Sequence, residues 1–307
     1  MSRNARQTVL PILTALIWGT AFVFQSVSAN KIGPLAFTAA RSAIAAVAVF
    51  FIAKIFNIRK KKETVSAEDK KKSRKELLKG GICCGVIFTA ASVLQQVGIA
   101  GTSAGKTAFI TTLYVVLVPI FGIFLKKKTT LNVWISVVIA VFGLYFLCIN
   151  ESFSIAPSDM YVLACAFGFA VHILTIDHFV STVDGTWLSC VQFATTAVLS
   201  GVCALIFEKN DMSQLKDCIW SLLYLGVFSS GVAYTLQIIA QKGANPTVVT
   251  LLLCLESVFG TLAGAIFLHE RMTGREYFGC ALMFAAVIFA QIPFKSKLPV
   301  KAAVEKQ

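Results

Sequence analysis

The chain has 307 residues, of which 57% are apolar and 14% are charged, and it carries a formal net charge of +13 with a mean hydropathy of +0.77. Soluble domains have about 25% charged residues, so this composition excludes a soluble enzyme and a soluble nucleic-acid-binding protein. The apolar residues form long runs rather than the alternating ~10-residue segments of an outer-membrane barrel. We therefore predict an all-α protein that crosses a membrane many times.

Ten apolar runs follow one another along the chain, each close to the ~20 residues that cross a ~30 Å hydrocarbon core as a helix. The first run follows Arg3 and Arg6, as in a signal peptide, but the nine runs after it favour a retained first helix. The predicted membrane helices cover residues 8–28, 34–56, 80–100, 103–125, 131–149, 159–180, 186–207, 218–241, 246–268 and 274–293.

The distribution of basic residues predicts the orientation. With the N-terminus in the cytoplasm, the connections on the cytoplasmic side hold 20 of the 28 lysines and arginines, and the external connections hold six. Cytoplasmic connections of membrane proteins are enriched in these residues, so we predict that both termini are cytoplasmic. The basic segment 57–79 is then a solvated cytoplasmic loop and 294–307 a cytoplasmic tail, whereas the linker 150–158 is external.

A weak internal repeat relates the two halves of the chain. At an offset of 143 residues, Val115 aligns with Val258, residues 123–125 with 266–268, and Thr130 with Thr273. The matches predict two five-helix units, 8–149 and 159–293. Because five is odd, the units face opposite ways in the membrane, and such inverted repeats are typical of transporters that alternate access around a central site.

Several short motifs stand at defined places in the predicted helices. They are Trp18-Gly19-Thr20, Arg41 with the small residues after it, Gln95-Gln96-Val97-Gly98 through Thr107-Ala108-Phe109 to Leu117-Val118-Pro119, and Leu255-Glu256-Ser257 leading to Leu268-His269-Glu270-Arg271. With these motifs, of which the segment 95–119 is the most specific, the chain resembles the EamA family of the drug/metabolite transporter superfamily. The resemblance implies a ten-helix exporter or exchanger of small metabolites, such as amino acids and their analogues, with a cavity between two EamA-like repeats.

Other functions remain as alternatives. Within transport they are a proton-coupled multidrug exporter and an exchanger of nucleotide sugars or phosphate esters, although only Arg41 would offer a phosphate a cation in the interior of a predicted helix, away from its ends. An intramembrane enzyme is disfavoured because the sequence has no H-E-x-x-H motif, nucleophile elbow or P-loop. We expect no metal, cofactor or nucleic-acid partner. The expected partners are a small-molecule substrate and the lipid bilayer, and a homodimer is left open.

Glu256 is the leading candidate for a functional residue because it is the most central carboxylate. It lies ten residues from one end of its predicted helix and twelve from the other, which is about 15 Å from either side at 1.5 Å per residue. Ionisable groups at that depth are costly and face protein or a watery cavity. Two interpretations follow: a glutamate that fixes helix packing, or a site for a cation or a proton.

Arg41 and Lys106 are the candidate cations. Arg41 lies about seven residues from the external end of its predicted helix. Its guanidinium therefore reaches the membrane surface or caps a neighbouring helix, or it clamps a substrate carboxylate. Lys106, at the external start of the fourth helix, is either an interfacial residue or a charge that attracts substrate at the mouth of the cavity.

His172 and Asp177 suggest a proton relay in the sixth helix. They are five residues apart and share a helical face only in part. The alternative is an interfacial pair of Asp177 and His178 and a hydrogen-bonded structural His172. A mostly apolar binding cavity also needs a few aromatic and amide groups. The candidates for those groups are Trp18, Tyr114, Gln192, Tyr234 and Gln237.

Overall fold

The computed structural model describes residues 3–29, 31–59, 67–102, 104–127, 129–149, 156–209, 212–267 and 272–292. All regular structure within these ranges is helical. The elements are α1 (Arg3–Ala29), α2 (Pro34–Arg59), α3 (Ala67–Ile99), α4 (Ala104–Thr112), α5 (Tyr114–Phe124), α6 (Leu131–Cys148), α7 (Pro157–Phe179), α8 (Gly185–Phe207), α9 (Met212–Asp217), α10 (Ile219–Tyr224), a π-helical segment (Leu225–Ala233), α11 (Tyr234–Gln241), α12 (Pro246–Leu253), α13 (Leu255–Phe267) and α14 (Gly274–Gln291).

The helices confirm the prediction of an all-helical membrane protein. Nine helical stretches of the described chain are long and apolar enough to cross a membrane, and they coincide with the first nine predicted segments. The tenth segment forms α14, which is helical for 18 residues but begins with Arg275 and Glu276. A capping box between Thr273 and Glu276 starts this helix, as the sequence pattern indicates.

The basic segment between the second and third predicted helices differs from the predicted solvated loop. Helix α2 extends to Arg59 and α3 begins at Ala67, so the loop prediction is wrong for residues 57–59 and 67–79. Ala, Glu, Lys, Arg and Leu dominate the second of these stretches and are strong helix formers, which lets the membrane helix continue into water. Residues 60–66 of the segment, 150–155 of the predicted linker and the predicted tail 294–307 lie outside the described residues.

Two of the membrane crossings are interrupted at a single residue near their middle. Leu113 separates α4 from α5, and Cys254 separates α12 from α13. At both points the backbone makes a tighter bond than the α-helical one, from Leu113 N to Ile110 O and from Ser257 N to Cys254 O. The interruptions matter because the residues beside them carry polar side chains into the centre of the bundle.

Helices α1 and α13 approach each other closely at Gly19. A Cβ atom at this position would lie 2.6 Å from both the Glu256 carbonyl oxygen and the Gly260 nitrogen. Only glycine allows this contact, as at other crossings of small residues in membranes. The contact sets Trp18 and Glu256 at the same level of the bundle. Around this pair, α2 packs on α8, α3 packs on α7 and α8, and α6 packs on α14.

Candidate functional site

A cavity lies among the helices at the level of the two interruptions. Its volume is about 50 Å³, well below the ~300–1,000 Å³ range of small-molecule sites, so the cavity is narrow in this conformation. Aromatic, amide, hydroxyl and charged side chains share its wall. The lining residues are Trp18, Ala21, Phe22, Gln25, Arg41, Gln95, Thr111, Tyr114, Phe169, His172, Ile173, Ser229, Tyr234, Gln237 and Glu256.

Glu256 is held in the cavity wall by two hydroxyl groups. Its Oε1 accepts hydrogen bonds from Thr112 Oγ1 at 3.1 Å and from Tyr114 OH at 3.3 Å. Those donors flank the interruption at Leu113, and Glu256 follows the interruption at Cys254, so the two breaks bring donor and acceptor together. The side chain is 3% exposed, and in the described chain it forms no ion pair, which leaves the carboxylate without a fixed countercharge.

Arg41 also points into the protein rather than to the membrane surface. Its side chain is 6% exposed, it lines the cavity, and its Nε donates to Ser230 Oγ at 3.0 Å. The alternative in which this arginine reaches the interface is therefore wrong. Helix packing explains the difference, because the face of α2 that carries Arg41 lies against the π-helical segment.

Two aromatic residues of the predicted set form one wall of the cavity. The rings of Trp18 and Tyr234 have centroids 4.5 Å apart with an interplanar angle of 53°. Trp18 Nε1 donates to the Ser229 carbonyl at 3.1 Å, which fixes the indole ring. The cavity therefore has an aromatic surface beside its two charged groups, with which apolar or cationic parts of a ligand can make contact.

The predicted relay between His172 and Asp177 is not assembled. His172 is fully buried in the cavity wall, and its Nε2 is 2.8 Å from Gln192 Oε1. Asp177 lies outside the wall and forms an ion pair with Lys127. Five residues of helix rotate the two side chains onto different faces, so they bind different partners. Gln192 reaches the site only through His172, whereas Gln237 lines the cavity itself.

Lys106 lies outside the cavity wall and joins two helices. Its Nζ is 2.5 Å from Asp159 Oδ2, and the same carboxylate oxygen accepts from the Ala156 backbone N–H at 2.6 Å. The start of α4 is thereby tied to the start of α7. This geometry corresponds to the interfacial interpretation of Lys106.

Three neutral residues that were not among the predicted site residues form a hydrogen-bonded chain in the wall. Gln25 Nε2 donates to Gln95 Oε1 at 3.0 Å, and Gln95 Nε2 donates to Thr111 Oγ1 at 3.2 Å. The three side chains come from α1, α3 and α4. Gln95 opens the most family-specific segment of the sequence, and an amide inside an apolar run is the sequence signal that could have identified it.

Comparison with known proteins gives two matches to one family model. The model of the EamA-like transporter family matches residues 8–149 and 156–291. A solved structure covers 94% of this chain and 97% of its own length with a TM-score of 0.76 at 17% sequence identity. At 17% identity, this structural similarity is evidence for the fold alone. The shared fold agrees with the helical arrangement described above.

Curated proteins similar to this chain are transporters by name. An uncharacterized transporter from Archaeoglobus fulgidus is 30% identical over 281 residues, which cover 91% of this chain and 84% of that protein. The uncharacterized transporter YoaV from Bacillus subtilis is 24% identical over 293 residues, with 93% and 97% covered. The threonine/homoserine exporter RhtA from Salmonella typhimurium is 28% identical over 189 residues, with 59% and 61% covered.

Proposed function

Because the chain belongs to the EamA-like transporter family, a family of multi-pass proteins of the cell membrane, we propose that it exports or exchanges small zwitterions. Amino acids and their analogues are the expected class. The observation that carries the proposal is a single cavity whose wall contains one buried cation, Arg41, and one buried carboxylate, Glu256. A molecule with both an ammonium and a carboxylate group matches that pair of charges.

Each charged residue has a defined role in this proposal. The Arg41 guanidinium binds the substrate carboxylate, for which its planar set of donors is well suited. Glu256 binds the substrate ammonium, while the hydroxyls of Thr112 and Tyr114 hold its carboxylate in place. The aromatic wall contacts the side chain of the substrate. Water is displaced from both charges, so a ligand that lacks either group leaves a buried charge unpaired.

The comparisons support an amino acid more than the alternative substrates. One similar protein is named as an exporter of threonine and homoserine. Phosphate esters need several cations in the site. Among the described residues that line the cavity, Arg41 is the single basic residue. A proton-coupled multidrug exporter remains the second candidate, because Glu256 and the aromatic wall also suit a cationic aromatic compound.

A direct test is flux into proteoliposomes that contain the purified full-length chain. Uptake of labelled L-threonine above that of protein-free liposomes, reduced by excess unlabelled L-threonine, is the expected result. The same vesicles with an imposed pH gradient measure proton coupling. If a panel of zwitterionic amino acids gives no uptake while cationic dyes are transported, the multidrug alternative replaces this proposal.

The two halves of the chain are proposed to act as inverted repeats that exchange conformations. The family model matches each half separately, and the interruptions at Leu113 and Cys254 occupy similar places in the fourth and ninth predicted helices. Both observations support repeats at 8–149 and 159–293. The cavity receives side chains from both halves, as a site at the repeat interface requires.

The proposed orientation, with both termini cytoplasmic, agrees with the positions of two basic segments, which lie at the same end of the helical bundle. Lys127, after α5, pairs with Asp177 near the end of α7. Gly80 of α3 packs on Phe179 at the same end of α7, so the basic first part of α3 lies there too. Two basic segments that are distant in sequence therefore share one end of the bundle, which supports placing that end in the cytoplasm.

In this orientation the polar part of the cavity lies in the outer half of the bundle. Gln25 and Gln95 lie four residues before the ends of α1 and α3. At the inner end, Arg6 Nη2 and Gln7 Nε2 donate to the Lys242 carbonyl at 3.3 and 3.2 Å. These contacts join the start of α1 to the end of α11 on the proposed cytoplasmic side. Transport then requires the inner contacts to break while the outer half closes.

Membrane-impermeant thiol labelling of intact cells tests the orientation. On a cysteine-free background, Lys209→Cys is expected to react from outside, and Lys75→Cys to react only after the membrane is permeabilised. Both lysines are exposed. A difference in labelling between the two variants therefore reports the side of the membrane on which each residue lies, not its burial in the protein. The reverse pattern would contradict the orientation and the assignment of the outer half of the cavity.

A further inference from the structure

The membrane crossing between residues 219 and 241 is irregular beside the cavity. Its central section, Leu225–Ala233, is π-helical, with α10 before it and α11 after it. π-Helical turns are rare and occur often at functional sites, because the extra residue in each turn changes which side chains face a neighbouring helix. Here the neighbours are α1 and α2, which carry Trp18 and Arg41.

The π-helical segment lies unusually close to α2 at the turn that holds Arg41. A Cβ atom at Gly226 would lie 2.7 Å from the Ile44 side chain and 3.0 Å from the Arg41 carbonyl oxygen. The absence of a side chain at this glycine is what allows the approach. As a result, Ser230, one turn further along the segment, lies beside the Arg41 side chain rather than facing lipid.

Ser230 binds Nε of Arg41, the guanidinium nitrogen nearest the side-chain stem, and so influences the direction in which the guanidinium points. Its hydroxyl is fully buried and accepts from Arg41 Nε at 3.0 Å. A guanidinium is planar, and its donors have a fixed arrangement, so a bond at Nε fixes the direction of the Nε–H bond and restricts how the whole group can turn. The terminal amino groups then remain for the cavity, where two parallel hydrogen bonds to a carboxylate can form.

We infer that Ser230 is a positioning residue, which orients the Arg41 guanidinium toward the carboxylate of a bound amino acid. The inference rests on the proposed function, in which Arg41 binds that carboxylate. The inference goes beyond that function in one respect: binding of the carboxylate also depends on the hydroxyl that the π-helical segment places beside Arg41, at Ser230. The neighbouring residue has a parallel role, because the Ser229 carbonyl fixes Trp18 on the other side of the segment.

Calorimetry on the purified full-length protein tests this role with two probes, L-threonine and L-threoninamide. The amide has no carboxylate but is otherwise similar in shape. Ser230→Ala is expected to weaken threonine binding about tenfold, the size of one hydrogen bond to a charged group, and to change threoninamide binding less than about twofold. Ser230→Thr keeps the hydroxyl and is expected to restore most of the threonine affinity.

Ser42→Ala is the matched control. Ser42 is adjacent to Arg41 in sequence and fully buried, and its hydroxyl has no hydrogen-bond partner in the described part of the chain. The control therefore removes an equally buried hydroxyl from the same region. Threonine affinity within about twofold of wild type is expected, as for a substitution that breaks no hydrogen bond.

A ligand-free measurement makes the result independent of folding yield. In protein with ¹⁵N-labelled arginine, the Nε–H signal that Arg41→Lys removes is expected to shift in Ser230→Ala and to stay in place in Ser42→Ala. Failure of the wild type to bind threonine would overturn the proposed function and this role with it. Wild-type binding of threonine by Ser230→Ala, or an unmoved Nε–H signal, would overturn the positioning role alone.

Discussion

Replacing Arg41 with alanine is expected to reduce the affinity for L-threonine by about a hundredfold or more. The change removes a bidentate bond between a guanidinium and a carboxylate, in which each charge-assisted hydrogen bond contributes roughly 1.5–3 kcal/mol. It also leaves the substrate carboxylate in a buried site without a countercharge. Arg41→Lys keeps the charge but not the planar pair of donors, so an intermediate affinity is expected. Calorimetry or competition against labelled threonine measures both.

Lys54→Ala provides the matched control for this substitution. Lys54 is the other basic residue within the predicted second helix, but it is exposed and lies over the ring of Phe50 at 4.8 Å instead of facing the cavity. Its replacement is expected to leave threonine affinity within about twofold of wild type, as for other exposed sites. A folded Arg41→Ala protein that binds threonine as tightly as wild type would remove Arg41 from the substrate site.

Replacing Glu256 with glutamine is expected to weaken threonine binding by about ten- to a hundredfold at every pH at which the protein stays folded. The amide has nearly the same shape and still accepts hydrogen bonds from Thr112 and Tyr114, so the fold is expected to remain. What is lost is the negative charge that pairs with the substrate ammonium in a site from which water is excluded. Calorimetry at several pH values measures the effect.

Flux measurements on the same variant separate this role from proton coupling. If Glu256 carries a proton instead, Glu256→Gln keeps wild-type binding but its transport stops responding to an imposed pH gradient. If both binding and pH response are unchanged, Glu256 only fixes helix packing. Glu76→Gln, the same change on the basic first part of α3 and outside the cavity wall, is the control and is expected to match wild type in both assays.

The sequence by itself determined where the helices lie and which ionisable residues are deep in the membrane. Both follow from one physical quantity, the thickness of the hydrocarbon core, which sets the length of an apolar run. The nine spans of the described chain coincide with predicted segments, although the third begins at Lys71, nine residues before its predicted start. The same reasoning selected Glu256 by its depth, and the structure places that residue in the cavity wall.

The tertiary structure alone decided which face of each helix is turned inward. Lipid tails are as apolar as a leucine side chain, so burial against protein and exposure to lipid favour the same residues, and the sequence pattern says little about rotation. The sequence therefore left open whether Arg41 reaches the membrane surface, and the structure places it in the cavity wall, bonded to Ser230. Likewise, only packing revealed that Asp177 pairs with Lys127, whereas His172 pairs with Gln192.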